Sequence, residues 1–188
     1  ANYNLESYVE YLFCDSISAQ KDILNLPSRT TIDRQLPVSL FEGTKPSTTN
    51  VVFTRGKSAI DFWAVDGDTI NVYELKSDNP MVGIITEIFF YSNYVHDVFI
   101  SKSLDHGKGS VEIEDGTYRS YDKIKGKQVK GIMLSNSNRK GWHSSLVPPI
   151  RTAIEKIMNA NGMSGAIQYE FLEYQLNPFK IGGYYISK

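Results

Sequence analysis

Hydrophobic residues recur at helical spacing in three stretches of the chain. The first stretch predicts an amphipathic helix over residues 5–23, and the second, which follows Asn79-Pro80, predicts a helix over residues 81–96. The third begins at Pro148-Pro149, and proline is favoured in the first turn of a helix. These repeats predict one helix near the start, one in the middle and one in the last third of the chain.

Short apolar runs between these helices predict β-strands. Pro37 lies inside the first run and indicates an edge strand or a bulge, because proline donates no ladder hydrogen bond. Asp66-Gly67 separates the second run from the third and predicts a tight hairpin. The predicted strands cover residues 34–41, 58–65, 69–75, 129–134, 166–174 and 183–186, and residues 98–100 are a candidate for a short additional strand.

The predicted order is α-β-β-β-α-β followed by α-β-β, which is typical of an α/β fold with a central mixed β-sheet flanked by helices. A length of 188 residues without a shift in composition predicts one domain over residues 1–188. Its core is expected at about residues 5–136, with a C-terminal helix and strands over residues 145–188. The polar segment 135–143 is expected to form a loop after a strand.

Composition restricts the location and the partners. The single cysteine, Cys14, cannot form an intrachain disulfide and indicates a reducing compartment, so we expect a cytoplasmic protein. No run of 18 apolar residues is present, and we expect no membrane association. A formal charge of -1 gives no overall attraction to nucleic acid, so any such binding must depend on a local basic patch.

Two carboxylates and a lysine are predicted to share one face of the hairpin. A two-residue turn at Asp66-Gly67 would place Asp61 opposite Val72, with Glu74 on the diagonal and Lys76 on the same face. Diagonal neighbours are roughly 7–8 Å apart at the backbone, so both carboxylates can reach one ion. Paired carboxylates suit Mg²⁺ or Mn²⁺, with waters and a substrate phosphate as the remaining ligands. A phosphodiester is therefore the expected substrate.

Ile60-Asp61, followed by Glu74-Leu75-Lys76 on the next strand and then by a helix, resembles the PD-(D/E)xK nuclease superfamily. The resemblance implies a restriction-endonuclease-like αβββαβ core and a Mg²⁺- or Mn²⁺-dependent nuclease that hydrolyses DNA phosphodiester bonds in restriction, repair or recombination. It implies that Asp61 and Glu74 bind metal, that Leu75 adds its carbonyl oxygen, and that Lys76 assists the attacking water.

Further site residues are suggested by the same resemblance. Some members carry an additional acidic residue on the first helix, for which Glu6 and Glu10 are the choices, with Glu10 preferred. Glu87 and Tyr91 have the spacing of a glutamine and a tyrosine in one branch of the superfamily, although packing on the helix face is the favoured interpretation of this pair. Independently of the resemblance, four basic residues are candidates for contacts to the nucleic-acid backbone, although a solvated surface is the favoured interpretation: Arg55, Lys57, Arg139 and Lys140.

A second hypothesis is that the chain is a non-catalytic nucleic-acid-binding or assembly module that keeps the nuclease fold. Asp61, Glu74 and Lys76 would then form a structural ion pair that survives chelation. Several properties stay open at this stage. They are DNA against RNA, endonuclease against exonuclease, sequence specificity, and whether the protein acts as a homodimer or within a larger nuclease complex.

Overall fold

The computed structural model describes residues 5–27, 30–41, 49, 51–77, 83–104, 123–139, 142, 145–178 and 184–188. The α-helices are α1 (Leu5–Asp15), α2 (Ile17–Asp22), α3 (Gly83–Val95) and α4 (Val147–Ala160). The strands are β1 (Thr31–Phe41), β2 (Val51–Asp66), β3 (Thr69–Lys76), β4 (Gln128–Asn136), β5 (Ile167–Pro178) and β6 (Tyr184–Ser187). No helix among the described residues is long and apolar enough to cross a membrane.

The six strands form a mixed sheet in sequential order, β1 to β6. Strands β3, β4 and β5 are parallel to one another, and the other neighbouring pairs are antiparallel. The parallel connections run through α3 and α4, because a parallel crossover needs a long return segment. The predicted α/β class with a mixed sheet flanked by helices is confirmed.

Each face of the sheet carries its own hydrophobic core. On one face, Ile84 and Ile88 of α3 and Ile154 of α4 pack over β3 and β4. On the other face, Val9 and Phe13 of α1 pack against the sheet. Strand β3 lies between these layers and is buried along almost its whole length, which explains its continuous apolar character.

Two predicted elements differ from the structure. The first predicted helix is divided at Ser16, whose hydroxyl accepts a hydrogen bond from the Ala19 N–H at 3.2 Å and caps α2. The strand predicted at residues 98–100 is wrong, because a π-helical turn (His96–Ile100) continues directly from α3. A three-residue apolar run fits a helix as well as a strand, and here it extends the apolar face of α3.

The hairpin register differs from the prediction by two residues. Asp66 pairs with Thr69, so the turn residues are Gly67 and Asp68 rather than Asp66 and Gly67. Gly67 has a φ of 56°, which a tight hairpin requires at its first central position. Val72 therefore pairs with Trp63, and the predicted pairing with Asp61 is wrong. A shift of two residues leaves the side chains of the regularly paired residues on their predicted faces.

Candidate active site

Along both β1 and β2, the buried side chains switch from one face of the sheet to the other. The switch occurs at the same level in the two strands. Ile32 packs on the α1 side, whereas Leu36, four residues later, packs on the α3 side. Phe62 and Ile60 show the same change on β2. Residues an even number apart in a regular strand share a face, so both strands must be irregular between these positions. The irregular residue on β1 is Gln35, which has a φ of 53°.

Asp61 lies at this level, where β2 separates from β3. The regular pairing ends at Phe62–Tyr73, and beyond it an Asp61 Oδ2 accepts the backbone N–H of Leu75 at 2.7 Å. The N–H and C=O of one strand residue point toward the same neighbour, so the Leu75 carbonyl is also directed to the Asp61 side. The fork between the strands thus brings together the Asp61 carboxylate and the backbone of Leu75.

Glu74 and Lys76 form a buried ion pair beside this fork. Lys76 Nζ is 3.1 Å from Glu74 Oε1 and 3.3 Å from Glu87 Oε2 on α3. The side chain of Glu74 is only 5% exposed and that of Lys76 is 18% exposed. The second oxygen of Glu74, Oε2, is buried and has no hydrogen-bond partner in the described part of the chain. A buried carboxylate oxygen without a partner is costly and calls for an explanation.

The surroundings of Asp61 and Glu74 disfavour the ionised forms of these two carboxylates. Burial raises the pKa of Asp61, and the charge of Glu10 raises it further, against the hydrogen bond from Leu75. Burial also raises the pKa of Glu74, and the charge of Asp61 adds to this effect. Burial alone would lower the pKa of Lys76, but the negative charge of Glu74 outweighs it and raises that pKa. The cluster therefore lacks positive charge when both carboxylates are ionised.

Helix α1 contributes two more carboxylates, Glu6 and Glu10. Glu10 is 3% exposed and accepts a hydrogen bond from Gln35 Nε2 at 2.7 Å. Its pKa is raised by burial, although the Gln35 hydrogen bond opposes this rise. Glu6 Oε1 accepts the backbone N–H of Ser77 at 3.5 Å. The structure brings both candidate acids of the first helix to the site rather than choosing between them.

The two α3 residues singled out in the sequence also face the cluster. Glu87 forms the second ion pair of Lys76. Burial raises the pKa of Tyr91 to about 12, and the charges of Glu74 and Glu87 contribute to the rise. Both side chains therefore lie within electrostatic reach of the carboxylates, in addition to any packing role on the helix.

The four predicted nucleic-acid contacts are only partly described. Arg55 and Lys57 belong to β2, in the half of the strand that precedes Asp61, and Arg139 ends the 3₁₀ turn (Ser137–Arg139) after β4. The side chains of these three residues, and Lys140 as a whole, lie outside what the structure describes. Their contact with nucleic acid stays a prediction.

Ser135 and Asn136 are additional buried polar residues that the sequence did not indicate. The prediction of a loop from residue 135 is wrong at its start, because β4 continues through Asn136. Ser135 pairs in register with Lys76, and Asn136 Nδ2 donates to the Ser77 carbonyl oxygen at 3.1 Å. Their polarity at the end of an apolar run is the usual mark of a loop, and only the neighbouring strand reveals their burial.

The donor set fits a hard divalent cation that keeps much of its own hydration. Within the described residues, no group of three or more His, Cys, Asp or Glu side chains is placed to hold a metal ion. Mg²⁺, however, is usually bound by one or two carboxylates together with waters and substrate phosphates. Asp61, Glu74 Oε2 and the Leu75 carbonyl supply such a partial set, and a cation would offset the charge that burial disfavours.

The carboxylate cluster lies apart from two surface grooves of the protein. Two surface grooves of about 410 and 540 Å³ lie along α4 and β5, and neither is lined by Asp61, Glu74 or Lys76. No protein-family model, curated protein or solved structure matches this chain. The function is therefore inferred from the arrangement of residues alone.

Proposed function

We propose that the protein is a metal-dependent nuclease that hydrolyses DNA phosphodiester bonds at the fork between β2 and β3. The observation that carries this proposal is the convergence of Asp61, Glu74 and Lys76 at one end of β3. Glu74 is buried there with a carboxylate oxygen that has no partner in the described part of the chain. Charged groups in such a place need a functional reason, because burial without full pairing is unfavourable.

The order of the elements supports a restriction-endonuclease-like core. Helix α1, the antiparallel strands β1–β3, helix α3 and the parallel strand β4 follow the αβββαβ order of the PD-(D/E)xK superfamily. In that arrangement the acidic residues belong to the second and third strands, as Asp61 and Glu74 do. Helix α2 and the segment from α4 to β6 are additions to this core.

Asp61, Glu74 and the Leu75 carbonyl are the ligands proposed for Mg²⁺ or Mn²⁺. When bound, such an ion polarises the scissile phosphate and lowers the pKa of a coordinated water. Lys76 is the proposed partner of the attacking water, or of the charge that develops on the phosphate. Its two carboxylate contacts hold it charged for this role.

Lys76 must weaken its contact with Glu74 before it can act on a substrate. Neutralisation of Glu74 by a cation reduces the attraction between the two side chains, whereas Glu87 remains as the partner of the lysine. Glu87 is proposed to orient Lys76 in the working site. The carboxylate of Glu87 is 46% exposed, so it can hold the lysine at the solvent side of the cluster.

The solvent side of the cluster, where Glu87 is 46% exposed, is the proposed approach for a polymeric substrate. A nucleic-acid strand is too long to be enclosed, and most of its contacts are made to the phosphate backbone. Beyond the fork, β1 and β2 continue as a two-stranded ribbon. Arg55 and Lys57 belong to this part of β2. This ribbon is the proposed support for the nucleic acid on one side of the site.

The ion pairs also support a second candidate function, a non-catalytic nucleic-acid-binding or assembly module. Lys76 has carboxylate partners on both sides, so the cluster can exist as a structural ion pair without a cation. In that case chelation changes neither stability nor binding. A nuclease requires the opposite result.

The deciding experiment is a cleavage assay on labelled single-stranded, duplex and branched DNA, with and without Mg²⁺ or Mn²⁺. We expect the wild-type protein to cut, EDTA to stop cutting, and Glu74→Ala and Lys76→Ala to abolish it. Lys127→Ala is the matched control, because Lys127 forms an exposed ion pair at the other end of β3. Absence of cutting by the wild type on every substrate, with no bound Mn²⁺, would favour the second candidate.

A further inference from the structure

Gln35 occupies an unusual backbone conformation in the middle of a strand. Its φ of 53° lies in the left-handed region, which residues other than glycine, asparagine and aspartate rarely adopt. Such a conformation costs roughly 1–3 kcal/mol and tends to occur where function requires it. β1 pairs regularly with β2 on both sides of this point, through Arg34–Phe62 and Leu36–Ile60. The irregularity is therefore confined to the level of Gln35 and Asp61.

The side chain of Gln35 connects this irregularity to the carboxylate cluster. The residue is exposed, yet its Nε2 donates to Glu10 Oε2 at 2.7 Å, and Glu10 is only 3% exposed. A carboxylate with an amide donor is held in one orientation and keeps its other lone pairs for further ligands. Gln35 thus fixes one oxygen of Glu10, whose charge acts on Asp61.

We propose that Gln35 is a positioning residue of the site: its left-handed backbone turns β1 at the level of Asp61, and its side-chain amide holds Glu10 against the cluster. This inference rests on the proposed function, because it assigns Gln35 to the support of a carboxylate whose charge acts on the proposed ligand Asp61. Groups that support a metal site from outside the ligand set typically contribute 10–100-fold to metal affinity.

The docking of α1 does not depend on Gln35 alone. The neighbouring Arg34 donates from Nη1 to the Ser7 carbonyl oxygen at 3.1 Å, and its guanidinium lies 5.7 Å from the centre of the Tyr11 ring. Val9 and Phe13 are fully buried in the core. Removal of the Gln35 amide should therefore free the Glu10 carboxylate without detaching the helix.

Two substitutions distinguish the effect of the side-chain amide of Gln35 from the effect of its backbone conformation. Gln35→Met keeps the length of the side chain and removes the donor, whereas Gln35→Gly removes the donor and favours the left-handed conformation. Gln168→Met is the control, because Gln168 is an exposed glutamine near the amino ends of the parallel strands, away from the cluster. We expect unchanged melting for the control and a lower melting temperature for Gln35→Met, because the buried Glu10 carboxylate loses its donor. Gln35→Gly should melt higher than Gln35→Met, because glycine adopts the left-handed conformation without strain.

Mn²⁺ affinity, measured by calorimetric titration, is the test. We expect both Gln35 variants to bind Mn²⁺ about 10-fold or more weakly than the wild type, and the control to bind normally. In a Glu10→Ala background, Gln35→Met should cause no further loss, because the amide then has nothing to position. Wild-type affinity in both Gln35 variants, or an additive loss in the double variant, would overturn this inference alone. Failure of the wild type to bind Mn²⁺ would overturn the proposed function with it.

Discussion

Two lysine–carboxylate pairs lie near opposite ends of β3, and they differ in almost every respect except their chemistry. At the hairpin end, Lys127 Nζ is 2.6 Å from Asp68 Oδ2, with side chains 78% and 66% exposed. At the fork, Lys76 Nζ is 3.1 Å from Glu74 Oε1, with side chains 18% and 5% exposed. The ends of β3 are about 23 Å apart at 3.3 Å per residue. The shorter contact belongs to the solvent-exposed pair.

Burial, rather than distance, determines how the two ion pairs differ energetically. Water screens the exposed pair, and such pairs typically contribute little to stability. At the fork, burial raises the pKa of Glu74 and leaves one of its oxygens without a partner in the described residues. Replacement of a buried pair by apolar side chains is often stabilising, so stability alone does not explain its presence. The difference supports the proposal that the fork, rather than the hairpin end, is the functional site.

The largest expected effect is on catalysis. Lys76→Met should lower metal-dependent cleavage by about 10²–10³-fold, because it removes a positive charge that supports the transition state. Lys127→Met removes the same charge at the other end of β3 and should leave the cleavage rate unchanged. Rates measured under single-turnover conditions at saturating Mg²⁺ compare the two variants. Equal losses in both would mean that the overall charge of the protein matters and the fork does not.

The next effect is on the free energy of unfolding. Lys76→Met leaves an ionised Glu74 buried beside Asp61 without its cation, which should cost about 1–3 kcal/mol at pH 10, above the raised pKa of Glu74. The loss should be smaller at pH 5, because Glu74 is then protonated. Urea titrations at both pH values measure the difference. Lys127→Met should show no change in its unfolding midpoint, and an identical loss at the two pH values would contradict the assigned cause.

The pH dependence of stability is a third test. The pKa values of Asp61 and Glu74 are raised by folding, so the folded protein binds more protons than the unfolded chain above about pH 4. Without metal, the free energy of unfolding should therefore fall as pH rises from about 4 through neutrality. The fall is up to about 1.4 kcal/mol per pH unit for each additional proton that the folded state binds. Glu74→Gln should flatten this slope, whereas Asp68→Asn should not. An unchanged slope in Glu74→Gln would remove Glu74 from the explanation.

The smallest effect is expected at the hairpin. Asp68→Asn removes the exposed ion pair with Lys127 and should leave both melting temperature and Mn²⁺ affinity as in the wild type. Differential scanning calorimetry at low and high salt checks this, because salt screens exposed charges. A clear loss of stability at low salt would show that the two ends of β3 are less different than their exposure indicates.

Much of the fold follows from the periodicity of hydrophobic residues. The repeats predicted the α-β-β-β-α-β order and the later α-β-β segment, and the structure contains both. The prediction failed at residues 98–100, where a short apolar run forms a π-helical turn. It also placed the hairpin turn one residue too early. Gly67, which has a positive φ, occupies the first central position of the turn rather than the second, so Asp66 pairs with Thr69.

The site was predictable only in part. Glu74 and Lys76 are two residues apart on one strand, so their shared face follows from the strand repeat alone. The roles of Gln35 and Ser135 depend on contacts between segments that are far apart in the chain. Gln35 reaches Glu10 across 25 positions, and Ser135 meets Lys76 only through the parallel pairing of β4 with β3. A single sequence carries no local signal for such contacts.

Binding of Mn²⁺ at the fork tests the central claim most directly. Calorimetric titration should be carried out on the wild type, Glu74→Gln and Asp68→Asn, at pH 8 and without substrate. The account predicts that the wild type and Asp68→Asn bind Mn²⁺ alike and that Glu74→Gln, in which the uncharged amide replaces the carboxylate, binds at least about 10-fold more weakly. Equal affinity in all three proteins, or no binding by any of them, would contradict it.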